Sequence, residues 1–322
     1  MKLGVFTVLF AEKSFEEMLD TVKAAGLHAV EIGTGCYPGN NHCDLDALLA
    51  DERLRKEYLQ KVADRDLIIS AFSCHGNPIS PDAAFANQSH ETLLKTIELA
   101  SLMEVPVVNC FSGTAGDHEG AKFPNWPVTA SPNEYGDVLK WQWEQKLVPY
   151  WKEVGQFAKD HHVKIGLELH GGFLVHTPYT LLKLRELTCD AIGANLDPSH
   201  LWWQGIDPVA AIKILAKENA IHHFHAKDTY IDQDNVNMYG LTDMQPYGEL
   251  RTRAWTFRSV GCGHSMKEWS DMMSALRTYG YDYVVSIEHE DPIMSINEGF
   301  NRAVRNLQSV LIEEATHDMW WV

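Results

Sequence analysis

Several features common in other protein classes are scarce or missing from this sequence. No uninterrupted apolar run approaches the roughly 20 residues a transmembrane helix requires, so no membrane span is expected. Basic residues are few: 27 Lys and Arg stand against 44 Asp and Glu, a net charge of -17. Duplex binding draws affinity from neutralised phosphates, so nucleic acid is an unfavourable partner. The six cysteines (Cys36, Cys43, Cys74, Cys110, Cys189 and Cys262) are scattered and form no C-x-x-C pair. They read as reduced, mostly buried thiols rather than a disulfide frame. No internal repeat or low-complexity tract occurs, and no Gly-rich phosphate loop follows the first apolar run.

What is present is a chain of 322 residues, 45% hydrophobic and 22% charged, with 22 Gly and 13 Pro. That composition supports a large core and excludes a disordered or collagen-like chain. The apolar start, Leu3 to Phe10, has the length of a signal h-region. A single Lys precedes it, Glu12 and Lys13 follow, and no small-residue cleavage pattern appears. It reads as the first buried strand of a cytosolic protein.

Short apolar runs alternate with amphipathic segments, the pattern of βα units on a parallel sheet. Eight runs read as strands: Leu3–Phe10, Ala29–Gly33, Leu67–Ser73, Val105–Phe111, Lys164–His170, Ile192–Asp197, Ile221–Ala226 and Tyr283–His289. Helix starts are marked between them. Ser14 with Glu17, and Ser265 with Glu268, have capping-box spacing. Thr177-Pro178 and Asp207-Pro208 each place a cap before proline at the first helical position. Strict alternation predicts an α/β fold, a single (β/α)8 TIM barrel over residues 1–322, with an open doubly wound sheet as the alternative. Two stretches break the rhythm, from Gly113 to Lys140 after strand four and from Thr229 to about Val260 after strand seven. Both follow strand C-termini, where barrel enzymes carry their chemistry.

Polar residues gather at those same ends. Strand five leads into Glu168 and His170, strand six into Asn195, Asp197 and His200, strand seven into His223, His225, Lys227 and Asp228, and strand eight into Glu288 and Glu290. One ligand-type residue from each of four consecutive strands converges above such a barrel. Two Glu, one Asp and a neutral His carry a charge of about −3 and would repel when buried together. A divalent cation resolves the conflict. Mostly oxygen donors with one imidazole favour Mn²⁺ or Mg²⁺, with Co²⁺ and Zn²⁺ as further candidates.

The strings LELHGG, NLDPSH, HFHAKD, FRSVGCGH and SIEHED, in that order, resemble the sugar phosphate isomerase/epimerase superfamily, the xylose-isomerase-like barrels; SCHGNP, ending at Pro78, is a weaker match. The resemblance implies that Glu168, Asp197, His225 and Glu288 hold the metal, with Glu168 and Glu288 also exchanging protons on opposite faces of a substrate carbon. It places His200 and Arg258 against substrate oxygens. A metal holding a carbonyl oxygen and its neighbouring hydroxyl stabilises the enediolate left when the α-proton departs. The strings NCFSGTAGDHEG, NWPV and LELHGG are similar to the larger, catalytic subunit of bacterial C-glycoside deglycosidases. That implies elimination of an aromatic aglycone from a 3-oxo-glycoside, His170 as the base, and a small second subunit as partner. A free-sugar isomerase or ketose 3-epimerase, or an inosose-type dehydratase, would use the same site.

Each assignment has a plainer counterpart. Asp197 could only cap the turn at Asp-Pro. His223 competes with His225, and Glu290 with Glu288, from the same strand face. His170 could be a hydrogen-bond partner instead of a base, and Arg258 a solvated charge or a clamp on an acidic residue. Lys227 and Asp228 are expected to orient His225. His75 and His118 lie on strand-end loops and are expected to line the pocket. Most of the ten tryptophans should simply pack. The closing Met319–Val322 reads as an apolar tail that meets another subunit, in keeping with an oligomer.

Overall fold

In the computed structural model, which describes residues 1–314, 319 and 321–322, eight parallel strands close into a barrel. They are β1 (Lys2–Phe6), β2 (Ala29–Gly33), β3 (Ile68–Ser73), β4 (Val107–Cys110), β5 (Lys164–Glu168), β6 (Ile192–Leu196), β7 (Ile221–Ala226) and, last in the chain, β10 (Val284–Ile287). Each of the eight expected runs supplies one of them. β10 pairs with β1 on one side, Leu3 opposite Val285, and with β7 on the other, Ser286 opposite His225, which closes the ring.

The helical layer follows the local punctuation. Ser14 and Glu17 form the capping box of α1 (Phe15–Ala24). After β2 come α2 (Leu45–Ala50) and α3 (Glu52–Ala63), and after β3 the long α4 (Ala83–Leu102). The loop after β4 ends in α5 (Glu134–Trp141), which runs through one π turn into α6 (Val148–Asp160). Thr177 caps α7 (Pro178–Leu187), Asp197 caps the short α8 (Pro198–Trp203) and Asp207 caps α9 (Pro208–Lys217). Asp197 is therefore a cap as well as a site candidate: Oδ1 accepts from Ser199 N at 2.8 Å and Oδ2 stays clear of that bond. Ser265 and Glu268 start α11 (Met266–Thr278), and Ser295 starts α12 (Ile296–Gln308). Apolar side chains of these helices pack against the strands in one continuous core that includes Phe72, Trp151, Phe224 and Trp269. Among the described residues, no helix is long and apolar enough to cross a membrane.

The strand ends differ from the sequence expectation in one direction. The first strand stops at Phe6, where a 3₁₀ turn covers Thr7–Phe10, and the fourth stops at Cys110. The fifth stops at Glu168, where His170 N donates back to the Glu168 carbonyl at 2.8 Å. Glu168 and His170 are thus joined by a tight turn rather than by strand alternation. In each case the apolar run outlasts the ladder, because loop residues at the barrel mouth are also buried. The stretch after β7 is not one irregular loop. It holds an antiparallel hairpin, β8 (Asp228–Ile231) and β9 (Trp255–Arg258), with α10 (Gln233–Tyr239) between its arms. Of the closing tail, Trp320 lies outside the described residues, while Met319, Trp321 and Val322 are exposed.

Candidate active site

Four carboxylate or imidazole side chains meet at the C-terminal mouth of the barrel. Glu168 closes β5, Asp197 follows β6, His225 sits on β7 and Glu288 follows β10. One ligand atom from each lies within 4.8 Å of all the others. His225 Nδ1 is 3.0 Å from Glu288 Oε2 and 3.4 Å from Glu168 Oε2. Lys227, fully buried, extends its ammonium to 3.1 Å from Asp197 Oδ2 and 2.9 Å from Glu288 Oε2, with Glu290 beyond at 2.9 Å.

Histidines surround Glu168. His75 Nε2 lies 3.0 Å from its Oε2, and His200 Nε2 lies 3.0 Å from its Oε1 and 3.4 Å from Asp197 Oδ2. The His170 ring rests on His200, with centroids 3.9 Å apart, and Phe111 packs edge-on against both His170 and His75. His170 Nδ1 bonds the Gly171 carbonyl. A carbonyl only accepts, so Nδ1 carries the proton and Nε2 keeps its lone pair. Trp203 Nε1 donates to His200 Nδ1 at 3.4 Å, which leaves the proton on His200 Nε2, the nitrogen beside Glu168.

Electrostatics set the protonation of the cluster. Burial pushes Asp197 up to about 7; Lys227 opposes this, while Glu288 and Glu168 add to it. Burial also works against Glu288, yet Lys227 and His225 hold it down at about 2. Glu168 sits well below the usual carboxylate range: burial opposes its charge, and contacts to His200, His225 and His75 prevail. His225 is raised well above its ordinary value, with burial outweighed by Glu31 and Glu288. His170 is lowered, chiefly by burial, so it is a neutral base near pH 7. Glu31, Glu168, Asp197 and Glu288 against His225 and Lys227 leave a deficit of positive charge. Moreover, His75 Nε2, His200 Nε2, Asp197 Oδ2 and Glu288 Oε2 are buried without a well-aligned hydrogen bond. Three carboxylates and an imidazole Nδ1, converging with orphaned polar atoms, fit a hard or borderline divalent cation.

The remaining candidates fall into place unevenly. Arg258, on β9, gives its Nε to Asp291 Oδ2 at 3.0 Å, the clamp reading, and Asp291 also accepts from Ser259 N. His118 is largely exposed and pairs with its neighbour Asp117 rather than with the cluster; the expectation that it lines the pocket is not met. A polar loop residue near a strand end has two directions to point, and the adjacent carboxylate decides this one. Lys227 and Asp228 do not orient His225, contrary to expectation. Lys227 touches Asp197 and Glu288 instead. Asp228 accepts from the backbone N–H groups of Thr229, Gly261, Gly263 and His264 and from Trp269 Nε1, so it fixes the S-V-G-C-G-H loop. His223 lies one pleat below His225, bonded to Asn195 Oδ1 and Ser70 Oγ.

One residue at the centre belongs to none of the strand-end motifs. Glu31, in the middle of β2, is fully buried, and both its oxygens lie 2.9 Å from His225 Nε2. The available signal was a lone carboxylate inside an otherwise apolar strand, Ala-Val-Glu-Ile-Gly. The two insertions meet over the site through aromatic rings: Trp203 of α8 stacks on Trp255 of β9 at 4.8 Å, and Trp126 meets Trp203 edge-on. Gly171 makes room for this stack, because a Cβ there would overlap the Trp203 ring.

Residues 19–310 match the model of a family described as a xylose isomerase-like TIM barrel. The chain belongs to that family. It is 36% identical over 315 residues to YfiH of Bacillus subtilis strain 168, described as uncharacterized, covering 97% of this chain and 99% of that protein. Among solved structures, it is similar to AsbF of Bacillus anthracis, a probable 3-DHS dehydratase of petrobactin synthesis. The TM-score is 0.65 at 19% identity, over 96% of this chain and 99% of that one. It is also similar to YcjR of E. coli, a 3-keto-D-glucoside 4-epimerase, with a TM-score of 0.64 at 12% identity and the same coverage of 96% and 99%. At those identities the likeness to the solved structures establishes the shared barrel.

Proposed function

We propose that this xylose isomerase-like barrel is a divalent-metal-dependent sugar enzyme that removes a proton α to a carbonyl, and that its reaction is carbon–carbon cleavage of 3-oxo-C-glycosides. The observation that carries the reading is the convergence of Glu168, Asp197, His225 and Glu288 beside an imidazole, His170, with a free Nε2. Bound there, Mn²⁺ or Mg²⁺ would act as a Lewis acid on the substrate's carbonyl oxygen.

The chain's own groups do the rest. His170 Nε2 takes the proton from C2, next to the 3-oxo group, and the electron pair passes to the carbonyl oxygen. When that pair returns, C1=C2 forms and the C1–aryl bond breaks. The aryl carbon leaves with the bonding pair and receives a proton, giving a free aglycone and a 3-oxo-glycal. Lys227, whose pKa is raised well above the usual value by Asp197 and Glu288 against burial, remains cationic next to the developing charge. His75 and His200 bracket Glu168 and hold its carboxylate in one orientation. A small second subunit and a higher assembly belong to the same proposal.

Ketose 3-epimerisation is the second reading, since Glu168 and Glu288 could exchange protons on opposite faces of one carbon. YcjR, named for a 3-keto-D-glucoside, shows the fold handling a 3-oxo sugar as an epimerase. The protein incubated with Mn²⁺ and either a 3-oxo-C-glycoside or free ketoses separates the two. Aglycone release, abolished by chelation and restored by Mn²⁺, supports the lyase. A new epimer without aglycone supports the second reading. Full activity in metal-free protein refutes both.

A further inference from the structure

The mechanism above leaves Glu31 unused, although it is a fully buried carboxylate at the centre of the barrel. Its oxygens accept from Ser73 Oγ at 2.5 Å, Asn109 Nδ2 at 2.9 Å and Ser286 Oγ at 2.8 Å. These donors come from β3, β4 and β10, so three strands converge to hold one charge in one place. The fourth group facing the carboxylate is His225 Nε2, 2.9 Å from both oxygens. The opposite edge of the same ring, Nδ1, faces Glu288 and Glu168 at 3.0 and 3.4 Å.

From this arrangement we propose that Glu31 is a positioning residue: its carboxylate accepts the hydrogen bond from His225 Nε2–H, which locks the ring in the Nε2–H tautomer and so presents the Nδ1 lone pair to the cation site. The role rests on the metal-dependent function proposed above. A carboxylate behind a ligating imidazole also raises the ligand's basicity, and losing such a partner typically costs 10–100-fold in metal affinity.

Glu31, His223 and His225 also lie close enough together to be read as a second metal site. The hydrogen bonds argue against that. A ligand must offer a lone pair, and the groups aimed at Glu31 are hydroxyl, amide and imidazole donors. His223 Nδ1 stands off at 3.9 Å, with Nε2 committed to Ser70 Oγ at 3.2 Å. Glu31 is therefore already saturated by donors from within the protein, and His225 links it to the single site above.

The test uses the full chain labelled with ¹⁵N-histidine and loaded with ¹¹³Cd²⁺ as a spectroscopic substitute. The expected spectrum shows one histidine coupled to cadmium, through Nδ1, with its Nε2 protonated. Coupling through Nε2 or to a second histidine overturns the proposal; the latter would make the Glu31 group a metal site. In parallel, Glu31→Gln, isosteric and able to fit the same cavity, should bind Mn²⁺ 10–100-fold more weakly by chelator competition, still at one ion per chain. Unchanged affinity in folded Glu31→Gln refutes the positioning role and leaves the metal function standing. A wild-type chain that binds no divalent cation refutes both. Should Glu31→Gln not fold, the wild-type spectrum alone decides.

Discussion

Removing the charge of Asp197 should stabilise the metal-free protein while destroying its metal site. Its carboxyl is held up at about 7, by burial first and then by Glu288 and Glu168, against an ordinary value of 3.8. At pH 8 the folded state must keep this group ionised at a cost of roughly three pH units, or about 4 kcal/mol at about 1.4 kcal/mol per unit. Asn fits the same space and can still accept from Ser199 N as the cap of α8. Lys227 keeps Glu288 and Glu290 as partners in the variant. Asp197→Asn should therefore gain up to about 4 kcal/mol at pH 8, the attraction of Lys227 being already counted in the net shift. The sign follows from linkage. A carboxyl whose folded pKa is raised favours the folded state below its unfolded pKa and loses that contribution as pH climbs through about 7. At pH 5 folded wild type carries the proton while its unfolded chain has mostly lost it, so the gap should shrink to roughly one pH unit, about 1.5 kcal/mol. Urea unfolding in excess chelator at pH 5 and pH 8 measures both differences. Saturating Mn²⁺ should reverse the order at pH 8, because only wild type gains RT ln(1 + [L]/Kd). A variant less stable than wild type in chelator at pH 8, or an equal gap at both pH values, would refute the reasoning.

Other expectations follow from the same geometry. His170→Ala should lower turnover by about 10²–10⁴-fold while Mn²⁺ affinity is unchanged, and solvent deuterium exchange at the substrate α-carbon should fall equally; normal exchange would remove His170 as the base. Asp197 near 7 and His225 raised well above its ordinary value must both shed protons to become ligands, so Mn²⁺ affinity should fall steadily as pH drops from 8 to 6 in titration calorimetry. Gly171→Ala drives a Cβ into the Trp203 ring and shifts the turn that carries His170, so kcat should drop by about 100-fold with metal affinity intact. Asp228→Ala strands the amides of the Gly261–His264 loop and should cost more than about 3 kcal/mol in denaturant unfolding.

The features legible in the sequence were those with a local cause. Ser14–Glu17 and Ser265–Glu268 satisfy helix N-termini within four residues, and both capping boxes form. The eight apolar runs each yielded a barrel strand, since burial on both faces leaves a continuous apolar signature. The four residues that converge were legible because each is a ligand-type side chain at or next to the C-terminal end of a barrel strand. Strand ends were less legible: past Phe6 and Glu168, where the ladder stops, Thr7, Phe10 and Leu169 are still buried and Val8, Leu9 and His170 half-buried. The β8–β9 hairpin was hidden because its partners are separated by a helix and a long loop. Glu31 was hidden because its meaning lies in side chains from three other strands that donate to it. His118 was placed at the pocket by sequence proximity, and its pairing with Asp117 turns it elsewhere.

The central claim is tested most directly by an anomalous difference map, recorded at the manganese edge from crystals grown with Mn²⁺. It should show one strong peak per chain, about 2.2 Å from a carboxylate oxygen of each of Glu168, Asp197 and Glu288 and from His225 Nδ1. No peak at that position, or a peak between Glu31 and His223 instead, would contradict it.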